Sequence, residues 1–257
     1  MKLFYFLMLL CVGCLTHFPA FAKEIKLVTG TDYAPFTSPD LPKGGVISDV
    51  VSHVFRKMGY TVSLQYFPWK RGMKRVGSLE NDATFPYAIT REREEEFLYS
   101  RPINRLTVSI FQRVSVGRHY GTPQDLVGLT YCQPLGYKTE DELVPLLNAS
   151  VINRLRADTV DSCLERLGSG RADFVALNNL VVWAGAHRIW SGEEQRVIEE
   201  AETPLNTSTE HLIISRHHPE GDKLITEFNR TYQILLDDGT LKEIWTKHLG
   251  KNANPAM

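Results

Sequence analysis

Residues 24–67, EIKLVTGTDYAPFTSPDLPKGGVISDVVSHVFRKMGYTVSLQYF, read as strand, loop, helix and strand in immediate succession. Glu24–Thr29 is a short β-rich run, and Thr31–Pro42 is a loop rich in Pro, Asp and Ser. Ser48 or Asp49 is placed to cap a helix whose apolar face is Val50, Val51, Val54, Phe55 and Met58, and Gly59 ends it. Thr61–Phe67 then alternates, with Val62, Leu64 and Tyr66 on one face.

The same alternation continues outward. Pro68 can open the next helix at its first position, Asp82–Tyr87 is strand-like, and Thr90 can cap a charged helix running to Phe97. Arg105–Arg113 is a strand, and a second series follows. Its strands are Leu129–Gln133, Val151–Ala157, Ala172–Leu177 and Arg196–Glu200, and its helices are Thr139–Leu147, Asp158–Leu167 and Leu180–His187. Glu202–Thr209 reads as a polar connection, His211–Ser215 as extended, and Pro219–Leu236 and Leu241–His248 as two closing helices around Gly239. Two α/β series predict two lobes, each a mostly parallel sheet flanked by helices. A cleft between lobes is a common place for a small ligand.

The 257 residues suit one large domain or two modest ones. With 43% hydrophobic and 23% charged residues, the chain is neither disordered, collagen-like nor a polytopic membrane protein. A net charge of -1 argues against nucleic acid as the main partner.

Residues 1–22 have Lys2 as their only charge, an apolar run from Leu3 to Leu15, and an Ala20-Phe21-Ala22 end. These are the parts of a cleaved export signal, and the run is shorter than the roughly 20 residues of a spanning helix. A lipoprotein signal ending at Gly13-Cys14 is the alternative, although Cys11 stands where Leu is expected. The expected location is the periplasm. Cys132 and Cys163 would remain after cleavage, either paired or as buried free thiols. A bridge over that loop would contribute about 3–4 kcal/mol in the chain-entropy description. Neither has a C-x-x-C partner for a metal.

No G-x-S-x-G, Walker A or H-E-x-x-H motif is present. Gly168-Ser169-Gly170 follows a helix, so it reads as a C-cap rather than a phosphate loop, and His217-His218 as a solvated turn. Three segments carry chemistry. Tyr33 and Phe36, after the first strand, could stack on a ligand or fill core. Trp69 beside Lys70 and Arg71 could hold an anionic or planar ligand, or simply start a helix. In Phe85–Arg93, Tyr87 follows the third strand, Thr90 opens a helix, and Arg93 offers a fork to a carboxylate or an ion pair to the neighbouring glutamates.

These pieces together resemble the bacterial extracellular solute-binding proteins of the amino-acid-binding type. The resemblance rests on Asp32–Phe36, Gly45–Gly59, Asp82-Ala83 leading to Ile89–Arg93, Asp125–Gly128, Gly136, Leu167–Asp173, Phe228-Asn229 and Asp238–Leu241. It implies a type II periplasmic-binding-protein fold with the ligand cleft between lobes. Lobe 1 would comprise 23–107 and 207–257 and lobe 2 108–206, with crossings near Leu106 and Thr207. It implies that Arg93 grips a ligand carboxylate, that Tyr33 packs on the ligand, and that Tyr137, Lys138 and Thr139 contribute from lobe 2. Phe85, Pro86 and Ala88 stand where amino-acid binders usually carry small hydroxyl residues, and Asn178 stands where an acidic partner for the ammonium is frequent. A carboxylate, an aromatic acid or a modified amino compound is therefore open alongside a standard amino acid. The expected partners are a small ligand and an ABC permease or a membrane sensor. The chain is expected to be a monomer with no cofactor and no metal. Some relatives are dehydratases, for which Glu80, Glu140 and Asp141 are the candidate acids or bases.

Overall fold

The computed structural model describes residues 23–116, 120–190 and 197–250; the expected export segment, with Cys11 and Cys14, lies outside the described residues, as does Arg196. The opening stretch folds as read. Strand β1 (Glu24–Thr29) leads through the loop to helix α1 (Val46–Lys57) and strand β2 (Thr61–Tyr66). Val50, Val51, Val54 and Phe55 are fully buried, each contributing about 1.5–3 kcal/mol relative to exposure. The helix starts earlier than the caps suggested. Gly45 is its N-cap, and Ser48 and Asp49 are buried inside its first turns.

Helix α2 (Trp69–Gly77) has Pro68 as its N-cap rather than its first residue. Strand β3 (Ala83–Ala88) is followed by α3 (Arg91–Glu96), whose cap is Thr90, with its side chain accepting from the Arg93 backbone N–H. Strand β4 (Phe97–Arg113) is about twice the expected length. Pro102 interrupts its alternation and sits where the pairing register shifts, as a proline in a strand must.

The second series contains β5 (Thr130–Pro134), α4 (Val144–Asn148), β6 (Asn153–Ala157), α5 (Val160–Gly168), β7 (Phe174–Asn178), α6 (Asn179–Ile189) and β8 (Ile198–Glu200). Helix α4 begins at Val144 rather than Thr139, with Pro145 in its first turn, the position where a missing N–H costs nothing. The second half of the polar connection expected at Glu202–Thr209 is strand: β9 spans Asn206–Ser215. Helices α7 (Gly221–Asp237) and α8 (Thr240–Leu249) close the chain, with Gly239 between them in the left-handed region at φ 83°.

The sheet order is β2-β1-β3-β9-β4-β7-β5-β6, with β8 beside β4. β1 is parallel to β2 and β3, and β5 to β6 and β7. Between these two parallel groups run β9 and β4, antiparallel to each other and to β3 and β7 respectively. The mostly parallel character therefore holds within each group, while the centre is antiparallel. Leu106 pairs with Ser208 and Thr107 with Thr207 in that central ladder.

Cys132 and Cys163 form a disulfide, with Cα atoms 5.5 Å apart. It ties β5 to α5, both cysteines being fully buried. Gly168-Ser169-Gly170 ends α5, Ser169 being its C-cap. Among the described residues, no helix is long and apolar enough to cross a membrane.

Candidate functional site

The C-terminal ends of β1, β3, β5 and β7 converge on one cavity, the usual ligand position in open α/β sheets. It holds about 620 Å³ out to its open mouth. From the first group come Tyr33, Trp69, Tyr87 and Arg93. From the second come Gly136, Tyr137, Lys138, Glu140 and Asn178, and the central strands add Leu106, Val108, Ser208 and Glu210.

Four aromatic rings build one wall. Trp69 meets Tyr33, Tyr87 and Tyr137 edge to face, with centroids 5.7, 5.5 and 6.1 Å away. Such contacts each add about 0.5–1.5 kcal/mol beyond area burial. The Tyr87 hydroxyl donates to the Trp69 carbonyl at 3.0 Å, which ties the β3 end to the α2 start. Two glycines make room for the indole. A Cβ on Gly30 would lie 2.2 Å from the Trp69 ring, and one on Gly136, at φ +88°, 2.7 Å from the Trp69 Cβ. The buried Trp69 indole N–H makes no hydrogen bond of good geometry among the described residues, with Asp32 and Tyr137 as polar neighbours.

Arg93 spans the cavity. One terminal nitrogen donates to the Ala88 carbonyl at 2.8 Å, the other to the Gly136 carbonyl at 3.2 Å, and the guanidinium lies 5.1 Å from the Tyr87 ring centre. A guanidinium has five N–H donors, so these two bonds leave others for a ligand. The turn opposite is held by Gln133, whose amide donates to the Tyr137 carbonyl at 3.1 Å and to Thr139 Oγ1 at 3.0 Å. Lys138 pairs with Asp141 at 3.1 Å.

Glu210 is the most unusual group. It is 6% exposed, yet it lines the cavity. Its Oε1 accepts from the Tyr33 hydroxyl and its Oε2 from the Asn104 amide, each at 2.7 Å. Burial pushes its carboxyl up from 4.5 to about 7, against the opposing pull of the two hydrogen bonds and Arg93. Burial also raises Glu140, which accepts from Asn206 at 3.0 Å, and Asp32, whose Oδ2 accepts from the Val160 backbone N–H at 3.4 Å. It pushes Tyr87 to about 12 and Tyr33 and Tyr137 upward as well, so these hydroxyls stay protonated donors.

Of the residues singled out from sequence, Tyr33, Trp69, Tyr87, Arg93, Tyr137, Lys138 and Asn178 line this cavity. Phe36 does not. It is 1% exposed and packs on Trp245 and Tyr33, so the core-filling alternative describes it. Arg71 is exposed and lies over the Phe67 ring at 5.1 Å, away from the cavity wall. Thr139 holds the turn through Gln133 rather than lining the cavity. Asn178 lines it with a qualification: its Oδ1 caps α6 by accepting from the Val181 N–H at 3.2 Å. Of the candidate acids, Glu80 is exposed and paired with Arg75, Asp141 is 82% exposed, and Glu140 lines the cavity. His218 approaches Asp82 at 3.2 Å rather than standing in a free turn.

Sequence reading missed Glu210, Ser208 and Asn206. Residues 206–210, Asn-Thr-Ser-Thr-Glu, are polar at every position, so no period-two pattern marked them as a strand.

The family profile of bacterial extracellular solute-binding proteins, family 3, matches residues 25–251. No curated protein matches the chain in sequence comparison. Among solved structures, an amino acid ABC transporter substrate-binding protein from Streptococcus pneumoniae, bound to L-arginine, superposes with a TM-score of 0.74 at 15% identity, covering 90% of this chain and 96% of that one. A histidine kinase sensor domain with similarity to periplasmic binding proteins gives 0.77 at 16% identity, covering 88% and 96%. An ancestral amino acid-binding protein, a precursor of cyclohexadienyl dehydratase, gives 0.71 at 18% identity, covering 87% and 94%. The chain belongs to the bacterial extracellular solute-binding proteins, family 3, and has the two-lobed α/β fold of type II periplasmic binding proteins.

Proposed function

We propose that this protein captures a small carboxylate-bearing, amino-acid-like ligand in the periplasm by lobe closure and passes it to an ABC-type importer. The lobes would be 23–107 with 207–257, and 108–206. The observation that carries the reading is Arg93, which reaches from the β3 end to the Gly136 carbonyl across the cavity and keeps donors in hand. A ligand carboxylate would complete that fork, while Tyr33, Trp69, Tyr87 and Tyr137 exclude water around it and strengthen each polar contact. Lys138 and the Asn178 amide would close over it from the second lobe.

Enzymatic action has one observation in its favour: Glu140 and Glu210 are cavity carboxyls whose protonated form burial favours, Glu210 up to about 7, as suits a general acid or base. Binding without turnover is the reading preferred here, since both carboxyls already have hydrogen-bond partners that account for their placement.

A thermal-shift screen with amino acids, aromatic acids and polyamines identifies the ligand, because a molecule that binds only the folded form raises its melting temperature. Titration calorimetry with Arg93→Ala should then show at least tenfold weaker binding, about 1.4 kcal/mol. Unchanged affinity would remove Arg93 from the site.

A further inference from the structure

We propose that Glu210, from the central strand β9, is the specificity-determining anchor for an ammonium or other N–H cation of the ligand, in place of the second-lobe position held by Asn178. The inference rests on the reading that this cavity takes an amino-acid-like ligand.

Asn178 is badly placed to receive a cation. Its side-chain oxygen already accepts from the Val181 N–H and caps α6, and the neutral amide has no charge to pair with a cation. Lys138, beside it, is a donor. Asn178 and Lys138 therefore give a ligand cation no negative charge, and the carboxylate on the second-lobe wall is Glu140. Glu210 offers a negative charge from the central strand β9. Both its oxygens bond neutral donors, Tyr33 and Asn104, and each carboxylate oxygen has a second lone pair. Arg93 lies close enough to favour its charge, but the hydrogen bonds of Arg93 run to the Ala88 and Gly136 carbonyls. A buried carboxylate bonded only to neutral donors is unfavourable, and a ligand cation beside it relieves that cost. Glu140, the other carboxyl on this cavity, is bonded to Asn206 and faces the charge of Lys138.

The groups facing Glu210 are Tyr33 from the β1 loop, Asn104 from β4, Arg93 from α3 and Glu140 from the turn after β5. His211, the next residue on β9, bonds instead to Thr209 and the Ser100 carbonyl.

The test uses the twenty standard L-amino acids and their matching 2-hydroxy acids, which keep the carboxylate and lose the ammonium. Wild-type protein and Glu210→Gln are titrated by calorimetry at pH 8. The expected result is that wild type prefers an amino acid over its hydroxy acid at least tenfold, and that the variant loses this preference while hydroxy-acid binding is little changed. A second measurement needs no variant. Between pH 8 and pH 5, wild-type affinity for the amino acid should fall at least tenfold, and affinity for the hydroxy acid should not, because the cation must displace a proton from Glu210. Equal affinity for both classes, or a preference that survives Glu210→Gln, would overturn the inference. So would binding of hydroxy acids alone, which leaves the capture reading intact. Absence of binding by either class would overturn the inference, and absence of binding throughout the wider thermal-shift screen would overturn the capture reading as well.

Discussion

Raising the pH from 5 to 8 should destabilise the unliganded protein through Glu210, and Glu210→Gln should remove that sensitivity. Burial holds the carboxyl at about 7 in the folded chain, against an ordinary value of 4.5. An acid raised by folding holds its proton more tightly folded than unfolded. Its contribution is full below about pH 4.5, declines as the pH rises, and is gone above about 7. At about 1.4 kcal/mol per pH unit, that interval amounts to about 3 kcal/mol. Asp32 and Glu140, also raised by burial, act in the same sense. His211 acts oppositely: burial holds it below its ordinary 6.5, so its contribution is lost as pH falls. The informative quantity is therefore the difference between wild type and Glu210→Gln, from urea unfolding at matched m-values. Between pH 5 and 8 that difference should move by about 3 kcal/mol in favour of the variant. Parallel pH profiles would refute the assignment of a buried, near-neutral carboxyl in the cavity.

Three further outcomes follow from the packing. Reducing the Cys132–Cys163 bridge, whose partners are 31 residues apart, should lower stability by about 3–4 kcal/mol, read as a drop in melting temperature with reductant that a Cys163→Ser variant does not show. Phe36→Ala should cost about 3–5 kcal/mol as a core cavity, whereas Arg71→Ala should leave both stability and ligand affinity close to wild type, since the exposed guanidinium only covers Phe67. A large affinity loss in Arg71→Ala would place that arginine back in the site.

Much of the fold was legible because its elements bury one clean face. β1 has the bounds read from the chain, and the apolar residues of α1 form its buried face. The misreadings fall where the site intrudes. β9 looked like a connection because Ser208 and Glu210 face a polar cavity and Asn206 bonds Glu140, so the strand lacks the usual apolar alternation. The turn at 140–143 looked helical, but Glu140 bonds to Asn206 and the helix starts only at Val144. Arg93 and Tyr33 were found because their segments follow strand ends in a recognisable pattern. Phe36, in the Tyr33 loop, and Arg71, beside Trp69, turn away from the cavity, one into core and one to solvent. Sequence proximity to a strand end identifies the loop; the direction of each side chain within it depends on packing.

A crystal structure with the screened ligand bound tests the central proposal most directly. The account predicts the ligand carboxylate within hydrogen-bonding distance of the Arg93 guanidinium, between Tyr87 and the Gly136–Lys138 turn. Electron density for the ligand in another cavity, or a carboxylate held without Arg93, would contradict it.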